Sequence, residues 1–126
     1  MCIFKAKGSE FIFGTFTTAI WDSSFGYESD QNPFVFSLTN KDNKPCKMKK
    51  GANNYNYDYS YRSYNDFSFG NGDICIPANA NTTNCTSNLG NTFKHPQYAY
   101  GTNGAQTFLA GSQTFQLSEI EVYHKV

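Results

Sequence analysis

The sequence predicts a mainly β domain built of many short strands, and three observations carry that prediction. Residues that suit a pleated, half-buried surface are abundant, with 12 Phe and 9 Tyr among 126 residues. Glycine and asparagine interrupt the apolar runs at short intervals, as turns between strands require. Apolar residues recurring at helical spacing are hard to find anywhere in the chain.

The length allows one domain, large enough to bury a core without disulfide or metal staples. Charge is balanced, with 10 basic and 10 acidic residues and a single arginine, Arg62. That excludes the basic stripe by which nucleic-acid binders neutralise phosphates. No stretch approaches the roughly 20 apolar residues of a membrane span, so direct membrane insertion is not expected. The first residues lack a secretory signal, which predicts a cytoplasmic protein whose cysteines are thiols. Cys2, Cys46, Cys75 and Cys85 are scattered, with no CxxC pair, so neither a metal nor a cofactor is expected. The sequons at Asn81 and Asn84 read as chance products of an Asn/Thr-rich loop.

Along the chain, Cys2 to Ala6 reads as a strand turned by Lys7, Gly8 and Ser9, with a second strand over 11–17 completing a hairpin. Gly14 marks a bulge or a close backbone approach within it. Trp21 precedes a polar stretch to Asn32 that reads as loop. Pro33-Phe34-Val35-Phe36-Ser37-Leu38 reads as a strand with Phe34, Phe36 and Leu38 on one face. After a turn over 39–44, residues 45–49 read as an edge strand whose lysines protect it from further pairing. Within 53–64, Tyr55, Tyr57, Tyr59 and Tyr61 alternate with polar residues. They suit a stacking platform, a sheet face with hydroxyls at its rim, or a low-complexity insertion. No basic groove accompanies them, which weighs against the platform.

Phe67 to Ile76 runs from a glycine turn into a strand. Gly70 and Gly72 read as positive-φ or tight-approach positions, and Asp73 as the cap of that turn through backbone amides. The Lys-Ser/Thr of a phosphate loop is missing. Residues 78–91 and 94–104 read as polar loops. Two apolar segments, 105–111 and 115–123, close the domain. In the second, Ile120 and Val122 fall on one face and help close the core, and Glu119 and Glu121 fall on the other.

Three catalytic constellations can be drawn. Glu119 and Glu121, with Asp73 and with His95 or His124, are the carboxylates for a hydrolase, since i, i+2 neighbours on a strand lie about 6–7 Å apart and glycoside hydrolysis uses about 5–9.5 Å. The polar face of a terminal strand gives neither glutamate the enclosed environment that separates acid from base, so Asp73, Glu119 and Glu121 read better as partner-facing or structural groups. A thiol antioxidant would use Cys85, placed in a polar loop without a neighbouring cation. No serine sits in a nucleophile elbow. A protein-interaction module suits the neutral charge, the many loops and the acidic strand face. The Asn, Tyr and Trp21 content leaves a lectin-like glycan binder as a further alternative.

In order, Phe13-Gly14-Thr15-Phe16 and Trp21, the strand around Phe36, Phe69-Gly70-Asn71-Gly72-Asp73-Ile74, and Phe108-Leu109-Ala110-Gly111 with Phe115 and Glu119-Ile120-Glu121-Val122-Tyr123 resemble the motifs of the TLDc domain family, that of oxidation-resistance-type proteins. They span residues 11–123. The resemblance implies a sandwich of two antiparallel sheets with a few short helices or helical turns, in one domain over 1–126. It also implies a non-enzymatic module linked to oxidative-stress resistance and to binding or regulation of the V-ATPase. The partner would then be a V-ATPase subunit, which would recruit the protein to organelle membranes. Two departures stand out: family members usually carry a helix and a strand ahead of the segment matched by Cys2 to Ala6, and the Tyr-rich segment is longer than the usual connection.

Overall fold

The computed structural model describes residues 1–17, 26–28, 33–51, 59–63, 66–70 and 72–123. Within them lie twelve strands and one short helix. The first half supplies β1 (Cys2–Ala6), β2 (Ile12–Phe16), β3 (Gly26–Glu28), β4 (Phe34–Thr39), β5 (Cys46–Lys50) and β6 (Tyr59–Ser63). The second supplies β7 (Asp66–Phe69), β8 (Ile74–Ile76), β9 (Cys85–Ser87), β10 (Phe93–Lys94), α1 (Asn103–Phe108), β11 (Thr114–Phe115) and β12 (Leu117–Val122). They form two six-stranded sheets, ordered β10-β5-β4-β2-β1-β12 and β11-β9-β8-β7-β6-β3. Every strand pair is antiparallel. The domain is therefore mainly β, a sandwich of two antiparallel sheets.

Period two builds the core. Along β1, Cys2, Phe4 and Ala6 are buried and Ile3 and Lys5 face away. Phe4 and Phe13 are cross-strand partners with ring centroids 5.5 Å apart. Aromatic contacts then join the two sheets: Phe4 meets Phe67 at 6.4 Å, and Phe13 meets Phe115 edge-on at 5.6 Å. Met48, Ile74, Leu89, Phe108 and Leu109 fill the remaining space. The β1–β2 hairpin closes through a bond from Ala6 N–H to the Phe11 carbonyl at 3.0 Å.

The structure corrects several expectations. The polar stretch before Asn32 contains β3, paired with β6. Residues 78–91 contain β9, which bridges β8 and β11. Both were hidden because three-residue strands of small or polar residues carry no periodic signal. The apolar segment starting at Ala105 belongs to α1, whose N-cap is Thr102: its Oγ1 accepts from Ala105 N–H at 3.3 Å. β5 is not an edge, since β10 flanks it. Its lysines therefore do not guard a free edge; Lys47 Nζ lies 4.1 Å above the Phe34 ring on the outer face. That face also carries Phe16, stacked on Phe34 at 4.8 Å, and Phe36. The inward residues of β4 are Val35 and Ser37. Trp21, Tyr55, Tyr57 and His124 lie outside the described residues.

β12 departs most from expectation. Ile120 and Val122 pair with Phe4 and Cys2 and so share their inward face. They nevertheless remain 48% and 49% exposed, because β12 is the last strand of its sheet and no described strand lies beyond it. They do not close the core.

Gly14 is the tightest point of the first sheet. A Cβ there would overlap the Cys2 carbonyl and the Phe36 ring, which lies over the glycine. Gly14→Ala is expected to lower stability by about 1–3 kcal/mol in urea unfolding. Adding Phe36→Ala recovers only part of that loss, because the Cys2 carbonyl remains.

Candidate functional site

The three carboxylates singled out from sequence occupy two unlike places. Asp73 follows the β7–β8 turn, where Gly70 and Gly72 have φ of +70° and +82°. Its side chain is fully buried. Among the described residues its side-chain partners lie beyond its own turn, in the segment before β10. Its Oδ1 accepts from Thr92 N–H at 2.9 Å, and its Oδ2 from Phe93 N–H at 2.9 Å, Thr92 N–H at 3.0 Å and Gly90 N–H at 3.3 Å. These amides lead into β10, in the other sheet. The carboxylate thus joins the turn of one sheet to the edge of the other. A Cβ at Gly70 would lie 2.5 Å from Asp73 Oδ1 and 3.0 Å from Phe93 Cε2, so only glycine leaves room for this arrangement. Burial pushes the Asp73 carboxyl up from 3.8 to about 6, against the pull of the amide donors.

Glu119 and Glu121 stand on the outer face of β12 and are exposed. Lys5 is the cross-strand partner of Glu119, Ile3 that of Glu121. The Tyr123 hydroxyl donates to Glu121 Oε2 at 2.7 Å. Asp73 is bound to the β10 edge and the glutamates sit on β12, at opposite ends of the same sheet. Five inter-strand steps separate those ends, roughly 24 Å. The structure keeps the two glutamates together and leaves Asp73 apart, so the three do not form one catalytic group.

Cys85 is not a loop thiol. It lies on β9, is fully buried, and burial pushes its pKa to about 11. Burial raises Cys2 and Cys46 as well. A thiol antioxidant needs the reverse, an exposed sulfur with a lowered pKa. His95 is engaged by its own loop: its Nδ1 accepts from the Gln97 and Tyr98 amides at 2.9 and 3.1 Å, and its ring packs edge-on against Phe108 at 4.3 Å. Burial lowers its pKa.

The motif residues divide by role. Phe13, Phe108 and Phe115 are core side chains, and Gly111 ends the helical segment with φ of +87°. One cluster had no sequence signal, because its members are 56 residues apart. The Tyr98 hydroxyl donates to Asp42 Oδ2 at 3.0 Å and to Oδ1 at 3.2 Å, while Lys41 Nζ lies 4.5 Å from the Tyr98 ring centroid. Among the described residues no group of three or more His, Cys, Asp or Glu could hold a metal ion. No helix there is long and apolar enough to cross a membrane.

Two outcomes follow from this geometry. Since Asp73 binds its proton more tightly folded than unfolded, it favours the folded state most below pH 3.8 and loses that advantage as pH rises to about 6. The full change is worth about 3 kcal/mol. A ¹³C titration of the Asp73 carboxyl is expected to give a midpoint near 6. Asp73→Asn removes the inflection and costs about 1–3 kcal/mol at neutral pH, because its amide NH₂ faces backbone donors. Cys85 is expected to react with iodoacetamide only after unfolding, as read by peptide mass mapping; labelling of the native domain at the rate of a free thiol contradicts this.

No curated protein and no solved structure matches the chain in comparison. The family model described as TLDc domain matches residues 1–126. With its sandwich of two antiparallel sheets and this match over its whole length, the chain belongs to the TLDc domain family.

Proposed function

We propose that this domain is a protein-docking module acting without catalysis of its own, in the oxidative-stress protection associated with its family, and that its partner is a subunit of the V-ATPase. The observation that carries the docking part is the exposed surface of β12, where two half-exposed aliphatic side chains and two exposed glutamates alternate between the faces of a strand that pairs, among the described residues, with β1 alone. Exposed aliphatic groups flanked by charge are the usual composition of a recognition patch. The catalytic alternatives have less support. The glutamates are not enclosed, Asp73 is committed to backbone amides, and the Cys85 thiol is buried.

The V-ATPase part rests on family resemblance, and cytoplasmic action at an organelle membrane follows from it. The domain used as bait in a lysate is expected to retain V-ATPase subunits in proportion to bait, and to release them on competition with free domain. Captures that contain no V-ATPase subunit overturn that partner.

A further inference from the structure

One imidazole holds the segment 95–98 over α1. Pro96 has no N–H to offer, so His95 Nδ1 accepts from the next two amides, Gln97 at 2.9 Å and Tyr98 at 3.1 Å. An acceptor at Nδ1 leaves the proton of the neutral ring on Nε2. Three rings close together around this turn. The His95 centroid lies 4.5 Å from that of Tyr98 and 4.3 Å from that of Phe108, and Tyr98 lies 5.9 Å from Phe108. The Tyr98 ring is seated on Gly104, where a Cβ would meet its Cδ1 at 2.6 Å. Phe108 is buried beneath the two rings. Other bonds fix the chain on either side of the segment. Upstream, Lys94 Nζ donates to the Gly90 and Asn91 carbonyls. Downstream, the Ala99 carbonyl accepts from Thr102 N–H at 3.2 Å and from Thr102 Oγ1 at 2.6 Å.

We propose that His95 is a proton-operated latch: when Nδ1 takes up a proton it stops accepting the Gln97 and Tyr98 amides, and the segment 95–98 lifts from α1 to uncover Phe108 and the bare backbone of Gly104. A protonated imidazole donates at both nitrogens, so at Nδ1 it would meet two N–H groups head-on. The closed turn and the charged ring therefore exclude each other on geometry. Among the described residues, the charges facing the ring come from the turn between β4 and β5. Burial weighs most against the imidazolium, Asp42 favours it and Lys41 opposes it. α1 carries no charged side chain, and Lys94 in the same loop is committed to its carbonyls. In the closed loop the Tyr98 hydroxyl donates to both Asp42 oxygens, so lifting Tyr98 frees that carboxylate to balance the new charge. The sign is set by the neutral ring of the closed form. Closure is fully favoured above the ordinary imidazole value of 6.5 and is lost as pH falls below it. Asp73 responds in the opposite sense, because it binds its proton more tightly in the folded chain. Acid thus opens the segment while favouring the junction between the sheets. The latch goes beyond the docking reading and does not depend on it.

The test is an NMR titration of the purified chain from about pH 8 to about pH 5, the range in which histidine changes charge. At the alkaline end the His95 ring is expected as the Nε2–H tautomer, with the Gln97 and Tyr98 amides protected from exchange. As pH falls, His95 titrates below 6.5. Both amides lose protection with its midpoint, after correction for the intrinsic pH dependence of exchange, and the Phe108 ring resonances shift with them. The amides of β8 keep their protection throughout. His95→Asn supplies a side-chain carbonyl that accepts from nearby amides and does not titrate, so it abolishes the transition. An Nδ1–H tautomer at the alkaline end, a midpoint at or above 6.5, or unchanged protection of the two amides overturns the proposal. So does the same transition in His95→Asn, or loss of β8 protection in step with the loop. Every outcome except the one for His95→Asn is read on the unaltered chain and stands even where the variant does not fold.

Discussion

The carboxylate of Asp73 is the constraint on which the rest of the arrangement depends. A buried carboxylate is costly unless hydrogen bonds replace its hydration, and the amides of Gly90, Thr92 and Phe93 replace part of it, with burial still the larger effect on its pKa. Its own carbonyl accepts from Asn88 N–H at 3.0 Å, so the 88–93 segment is held at both ends of one residue. Alongside, Phe69 and Phe93 stack at 5.0 Å, joining the strand before the turn to β10. Fixing β10 completes the sheet beyond β5. The same chain then passes through His95 and Tyr98, whose rings brace Phe108 in α1. One acidic group thus sets the relation of the two sheets at one end, and the other end is left to β12.

The residue types at these two ends explain a division of labour that acidity alone hides. Asp73 is acidic because a short carboxylate reaches several converging amides. Glu119 and Glu121 are acidic on an exposed outer face, where the described partner of Glu121 is the Tyr123 hydroxyl rather than converging amides. The outer face of the first sheet carries phenylalanines in its middle and charge at its margins, with Lys47 covering one ring. Long cationic side chains lying over aromatic surface keep such a face compatible with water.

Much of the first sheet was legible in the sequence, because β1 and the first part of β4 alternate cleanly and turn at glycine or asparagine, and β2 follows β1 across the short Gly8 turn. The positive φ of Gly70 and Gly72 and the crowding at Gly14 were legible for the same local reason. What could not be read depends on contacts distant in sequence. Cys85-Thr86-Ser87 looks like loop until β8 and β11 flank it, and that flanking buries Cys85. Asp73 could be read as an acceptor of amides, but the identity of those amides lies 17 to 20 residues downstream. The alternation of Ile120 and Val122 was right in phase and wrong in consequence. Period two assigns a residue to a face and is silent on whether another strand lies beyond it.

The reciprocal bonds between Met1 and Tyr123 put the beginning and the far end of the described chain in one antiparallel pair. Traction applied at those two points does not shear the sheet. It opens β1 from β12 one rung at a time, starting at Met1 and Tyr123 and passing next to Ile3 and Glu121, so each hydrogen-bonded pair bears the load alone. Along this axis the domain is soft, and under tension β12 is among the first strands to part from its sheet.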